Sequence, residues 1–309
     1  GCDWMAFLYA SIAAIIGMRV RAKCNESGLN HYMGIAIAAF VSTILAWAST
    51  LLPAEWTTTP WHPLLACALF IVPGVPLINF VDDMLDNYIQ VGIVRAVNTL
   101  LMVAAMAFGI AFAVKLCHIA DFFPTISMVP HHAYWEYAIA AAISAMGFSM
   151  IFNIQRRLLW VVAIGGIIAV CTRNFVNLGA STDNIGLDMG LVIGSFSGSV
   201  LVSLIAVKAV HWFHVPNHVL TIPSVIPMIP GVLMYRMLFG IININVQSID
   251  QVTPLMKAIE SGVNSGLVIM VIALGVAIPN IFGRKYIASS KNKRLAELLK
   301  ERKARGKFI

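Results

Sequence analysis

Apolar residues in this chain gather into long unbroken blocks, at about 3–19, 33–52, 62–80, 93–117, 134–152, 158–172, 187–208, 218–240 and 261–282. A bilayer core about 30 Å thick takes about 20 residues of helix, fewer where neighbours or tilt help. The pattern therefore predicts an all-α polytopic membrane protein with about nine transmembrane helices. Composition agrees: of 309 residues, 59% are hydrophobic and 11% charged, against about 25% charged in soluble domains. Too few charges remain to cover that much apolar surface in water, so a soluble enzyme, a disordered chain and a nucleic-acid binder fit poorly.

The net charge of +7 is unevenly placed. Ten of the 21 Lys and Arg lie between Arg284 and the C-terminus, which reads as a basic cytoplasmic tail (283–309) beside anionic lipid. A short amphipathic helix on the membrane surface is expected within it. Arg19, Arg21 and Lys23, then Arg156 and Arg157, then Lys208, fall on the tail's side if each block crosses once. The segments 53–61 and 118–133 carry no Lys or Arg. That asymmetry predicts a multi-pass membrane protein with a cytoplasmic C-terminus. Trp47, Trp56, Trp61, Trp135 and Trp212 stand near block ends, as interfacial aromatics do. Five scattered cysteines (Cys2, Cys24, Cys67, Cys117, Cys171) read as small buried hydrophobes or as bystanders. The sequence opens at Gly1 with no start methionine or signal pattern, which reads as a fragment or a processed form.

The blocks repeat. AVNTLLMVAAMAFGIA (96–111) lies over GVNSGLVIMVIALGVA (262–277) without a gap, pairing Asn98 with Asn264 and Gly109 with Gly275. SIAAIIG (11–17) matches IGGIIA (164–169), GIAIAAF (34–40) matches GLVIGSF (190–196), and FIVPGV (70–75) matches PMIPGV (227–232), in the same order. The expected organisation is a repeat of five helices: 134–282 the complete copy, 1–117 the copy whose first helix is missing. An odd number of crossings inverts one copy relative to the other, the arrangement secondary transporters use for alternating access.

The fourth helix of each copy holds the most unusual residues: Pro73, Gly74 and Pro76 in one, Pro223, Pro227, Pro230 and Gly231 in the other. Proline removes an amide proton and clashes with the carbonyl four residues back, and glycine next to it permits unusual torsions. Freed backbone groups in lipid need a neighbouring helix or a wet cavity. Interruptions at matching places in two halves point to a substrate site, with both breaks expected near the midplane. A single kink would be ordinary in a membrane helix; a symmetric pair is not.

The stretch PGVPLINFVDDMLDNYIQVGIVRA (73–96) resembles the PGxPLxN, Asp and GxxR run of the threonine/serine exporter (ThrE) family, and PSVIPMIPGVLMYR (223–236) is similar to the proline pattern of that family's second half. The resemblance covers nearly the whole chain except the family's cytoplasmic segment and first membrane helix. It implies export of threonine and serine driven by the proton gradient, or of a dicarboxylate in two-component relatives, where a separate polypeptide carries the missing part. A homo-oligomer stays open. No organic cofactor and no nucleic acid is implied.

Asp82, Asp83 and Asp86 crowd the end of the first broken helix, where mutual repulsion disfavours three simultaneous negative charges, a property suited to a proton carrier. Asp83 is the one that matches the family's Asp. Arg95 is placed to fork a substrate carboxylate, with a positive-inside anchor as its plainer role. Arg236 occupies the position of Asn79 in the matching copy, both six residues after the proline, which makes them unequal poles of one expected site; snorkelling to the interface is the plainer role for Arg236. Asn98 and Asn264 either bind substrate or each other, or pack helices together. Asp188 marks the outer end of the seventh block. His211, His214 and His218 have helical spacing, but Pro216 interrupts it, and His118, His131 and His132 fall in an outer loop. No metal-ligand motif, phosphate loop or catalytic triad order is present, so no catalytic residue is assigned. A passive pore and a structural membrane subunit are the rivals to a transporter.

Overall fold

The computed structural model describes residues 4–51, 62–67, 71–118, 133–180, 185–242 and 252–304. Trp56, Trp61, Cys2, His131 and His132 lie outside the described residues. Every expected apolar block carries helix: α1 (Trp4–Glu26), α2 (His31–Trp47), α3 (His62–Ala66), α4 (Gly74–Leu85), α5 (Ile89–Leu116), α6 (Tyr134–Ile151), α7 (Leu159–Asn177), α8 (Leu191–Phe213), α9 (Asn217–Val225), α10 (Gly231–Ile242) and α11 (Val252–Ala304). Among the described residues, six stretches are long and apolar enough to span a membrane as one helix: 5–26, 31–51, 89–116, 156–177, 191–210 and 255–283. Of the other three blocks, the two with Pro-Gly are divided, into α3 and α4 and into α9 and α10, and α6 has 18 residues.

Two expectations are corrected. The tail does not form a separate short helix, because α11 runs from its apolar span through to Ala304. No glycine or proline follows Gly283 until Gly306, and the Ala, Glu, Leu, Lys and Arg residues there are strong helix formers. The seventh block does not begin as helix at 187: residues 185–190 form a non-helical strap that lies along the end of α7. The N–H groups of Leu187, Asp188 and Met189 donate to the carbonyls of Phe175, Leu178 and Val176 at 2.9–3.0 Å, which satisfies acceptors that a helix end leaves open. Gly186 fits there because a Cβ would lie within bonding range of the Leu178 carbonyl oxygen.

Two compact units divide the chain: 1–132 with 230–267, and 133–229 with 268–309. In the first, α5 packs on α2, on α4 and on α10. In the second, α7 packs between α6 and α8 and against α9. Contacts are built on small residues, as membrane helix interfaces are. A Cβ on Gly109 (α5) would meet the Ala36 carbonyl of α2 at 2.2 Å, and one on Gly275 (α11) would meet Ser199 Oγ of α8 at 2.0 Å. Gly109 and Gly275 are the glycines that the sequence lays over each other in 96–111 and 262–277, and the helices they face, α2 and α8, carry the similar segments 34–40 and 190–196. On α8, Ser195, Ser199 and Ser203 are fully buried one turn apart, and Ser203 Oγ donates to the Val276 carbonyl at 2.8 Å. The outer surface is apolar, with Phe282, Trp212 and Phe108 at 82%, 77% and 65% exposure. Such a surface is stable against lipid rather than water.

Candidate functional site

The divided block 62–80 restarts at Gly74, directly behind Pro73 (φ −77°, ψ 65°), where Leu77 N–H donates to the Pro73 carbonyl at 3.0 Å. α4 ends at a defined cap. Asn87 adopts a left-handed conformation (φ 67°), its N–H donates to Met84 O at 3.1 Å, and Tyr88 N–H donates to Asp83 O at 2.8 Å. These are the paired bonds of a Schellman turn, with asparagine in the place glycine usually takes. The turn holds Asp82, Asp83 and Asp86 at the C-terminal end of α4. Carboxylates there sit at the negative end of the helix dipole, so a nearby cation is favoured.

Arg95 supplies it. α5 begins at Ile89, and Gly92 lets its first turn close on α4: a Cβ at that position would meet Met84 Cγ at 2.5 Å and the Phe80 carbonyl at 2.9 Å. Three residues on, Arg95 Nη1 stands 2.5 Å from Asp83 Oδ2, the side chains 37% and 23% exposed. The contact is an ion pair by proximity; Asp83 Oδ2 is buried and accepts no aligned hydrogen bond. One turn further along α5, Asn98 Oδ1 accepts from the Tyr32 hydroxyl of α2 at 2.6 Å. An open groove of about 710 Å³ is lined by Arg95, Asn98 and Tyr32 together with Gln90, Val91, Val94, Val97 and Leu101, and Asp83 adjoins it through its ion pair with Arg95. Tyr32 and Gln90 are additions to the residues expected from sequence. Tyr32 lies 66 residues from its partner, so no local spacing signals it.

The second break is also present. α9, with Pro223 inside it, ends at Val225; a 3-10 turn spans Ile226–Met228; and α10 restarts at Gly231 behind Pro230. Pro230 is the residue at which the chain passes from one compact unit to the other, so Pro73, Gly74, Pro230 and Gly231 all open helices that belong to the unit containing α5. Both α4 and α10 pack on α5. Asn79 on α4, Arg236 on α10 and Asn264 on α11 are half-buried in that unit. Asn98 and Asn264 do not bond each other; Tyr32 takes Asn98 instead.

Other candidates separate. Asp188 (φ 53°) sits in the extended strap, beside Gly179. His214 ends α8 in a left-handed conformation, and His218 lies on α9 with Nε2 3.3 Å from Asn280 Nδ2, so these two do not share one helix. Among the described residues no three His, Cys, Asp or Glu side chains gather as metal ligands would. Cys24, Cys67, Cys117 and Cys171 are free thiols.

Family comparison matches two models. Residues 1–117 match the family described as "Putative threonine/serine exporter" and residues 137–282 the one described as "Threonine/Serine exporter, ThrE". A curated protein of Klebsiella aerogenes, "Probable succinate transporter subunit YjjP", is 29% identical over 113 residues, covering 37% of this chain and 43% of that protein. The chain thus spans less than half the length of this relative. No solved structure matches.

Proposed function

The chain belongs to the threonine/serine exporter family, a family of membrane transport proteins, and from that premise we propose that it exports threonine and serine across the inner membrane by proton antiport with alternating access. The observation that carries this reading is the Asp83–Arg95 ion pair beside the Tyr32–Asn98 groove. A zwitterionic amino acid would exchange into such a pair by parting its 2.5 Å contact: its carboxylate takes the Arg95 guanidinium as a fork, its ammonium takes Asp83, and Asn98 and Tyr32 offer partners to a side-chain hydroxyl. A proton on Asp83 removes the ammonium's counter-charge. Proton and amino acid then compete for one carboxylate, which is the requirement for antiport. Asp82 and Asp86 add negative field at the same helix end and share in proton uptake.

The first amides of α4 and α10 have no intrahelical acceptor, and their positive dipole ends suit a substrate carboxylate. Pro73 and Pro230 carry no amide proton, and the Gly74 N–H is taken by the Val72 carbonyl at 2.8 Å. Pro73, Gly74 and Pro230 would therefore serve by opening the helix ends, while the Val75, Gly231 and Val232 N–H groups would meet the carboxylate, with Asn79, Arg236 and Asn264 at the same site. The matched glycines on α5 and α11 support two copies of one helical unit, inverted in the membrane, with the C-terminal tail in the cytoplasm. The named relative favours a second reading, a dicarboxylate as cargo with a partner polypeptide completing the transporter. That cargo has no ammonium for Asp83, so Asp83 must be protonated before it binds. Proton and dicarboxylate would then move together, the reverse coupling.

Purified chain in proteoliposomes distinguishes these. Under an imposed pH difference, threonine is expected to accumulate in the compartment from which protons leave. Succinate moving in the same direction as protons supports the second reading. Flux of both solutes with no dependence on the pH difference identifies a pore. Absence of flux until a partner polypeptide is added identifies a subunit.

A further inference from the structure

The compact unit formed by 133–229 and 268–309 contains an arginine that the site above leaves unused. Arg173 lies one turn from the end of α7, within the apolar span 156–177. Its Nε and Nη2 both donate to one acceptor, Asn174 Oδ1, at 3.1 and 3.0 Å. Asn174 is 4% exposed, so the anchor is fixed, and it is neutral. Arg173 forms no ion pair with any described carboxylate, while Arg95 is already matched by Asp83. A guanidinium held within a membrane span without a counter-anion is costly unless an anion comes to it. Both protons of Nη1 and the second proton of Nη2 are left, and these two nitrogens present the parallel N–H pair that a carboxylate takes.

The repeat singles out the same position. The register that aligns Ile12 with Ile164 sets Arg21 against Arg173 and Asn25 against Asn177. Each asparagine packs on a glycine of the following helix: a Cβ on Gly34 would meet Asn25 Oδ1 at 3.5 Å, and one on Gly194 would meet Asn177 Cβ at 3.0 Å. Arg19 and Lys23, the other cations at the end of α1, face Cys171 and Phe175 in that register and are not repeated. A cytoplasmic anchor has no reason to persist in an inverted copy, because its helix end then lies on the other side. α7 follows the basic pair Arg156–Arg157, which lies in a short 3-10 turn, and the 14 helical steps from Leu159 carry Arg173 ~21 Å from that end, toward the outer face.

We propose that Arg173, oriented by Asn174, is a second carboxylate-binding group, which engages the cargo at the outer end of its route, with Arg21 as its counterpart in the other copy. This rests on the transport reading above. The ligand class is a small carboxylate, either an amino acid or a dicarboxylate. A neutral tether such as Asn174 suits this use, since it positions the fork without cancelling its charge.

The test is exchange in proteoliposomes of known orientation, with threonine and succinate in separate arms and threonine amide as the carboxylate-free competitor. In R173Q the half-saturating concentration from the outer side is expected to rise at least tenfold, with the cytoplasmic-side value within twofold. Preference for threonine over its amide should fall on the outer side only. R173K, which keeps the charge without the fork, should fall between. The arm that shows the shift identifies the cargo. Unchanged outer-side values in R173Q, or in R173K should R173Q not fold, overturn the inference while leaving the transport reading intact. An equal shift on both sides indicates a structural arginine and also overturns it. No exchange of either solute by the wild-type chain defeats the transport reading itself.

Discussion

Arg95 on α5 reaches Asp83 on α4 because Gly92, one turn earlier, presents no side chain to Met84 and Phe80. The close approach of two helix ends and the ion pair are thus one feature: the glycine sets the spacing that the charges need.

A methyl group at that glycine should act on both. Gly92→Ala places Cβ 2.5 Å from Met84 Cγ and 2.9 Å from the Phe80 carbonyl. Methionine can move, but the backbone oxygen cannot, so α4 and α5 must part. Overpacking of this kind costs about 1–3 kcal/mol. The melting temperature of the purified protein should drop by several degrees, and transport should fall more steeply than stability does.

The Asn87 cap isolates backbone conformation from chemistry. With φ at 67°, Asn87→Gly should be neutral or slightly stabilising, whereas Asn87→Val should cost about 1–2 kcal/mol. Thermal unfolding of the two variants side by side checks this.

Tyr32→Phe removes one hydroxyl that donates to Asn98 at 2.6 Å. The net loss should be about 1 kcal/mol. In a double-mutant cycle with Asn98→Ala, the two changes should not add, since each removes the same bond. Additive effects on threonine affinity would mean that the two side chains act separately.

Gly109 and Gly275 should be the least replaceable of the glycines on their helices. Backbone oxygen on α2 stands 2.2 Å from the Cβ position at Gly109, and Ser199 Oγ stands 2.0 Å from the one at Gly275. Gly109→Ala should therefore be the more damaging, because a serine hydroxyl can rotate away and a carbonyl cannot. Expression and monodispersity by size exclusion report the difference.

Much of the helical frame was legible in the sequence because lipid demands long apolar runs, and the two Pro-Gly pairs announced where a run must divide. The acids at 82–86 and Arg95 were readable as candidates from charge within an apolar context. Their pairing was not, since it depends on how closely α4 and α5 approach, which Gly92 decides. Tyr32 escaped for the same reason: its partner is on another helix. Arg173 was passed over because one cation near a block end resembles an interfacial anchor, and only the bonds to Asn174 mark its guanidinium as held. Residues 187–190 differ from the expected start of the seventh span, because an apolar run does not reveal that Asp188 and Gly190 take positive φ there.

The central claim is that one carboxylate, Asp83, serves proton and amino acid in turn. Threonine exchange across proteoliposomes, with and without a pH difference, tests it most directly in Asp83→Asn. The account expects the wild type to be driven by the pH difference, and the variant to lose that drive, with its remaining exchange indifferent to pH. A variant that still concentrates threonine against its gradient under the same pH difference would contradict it.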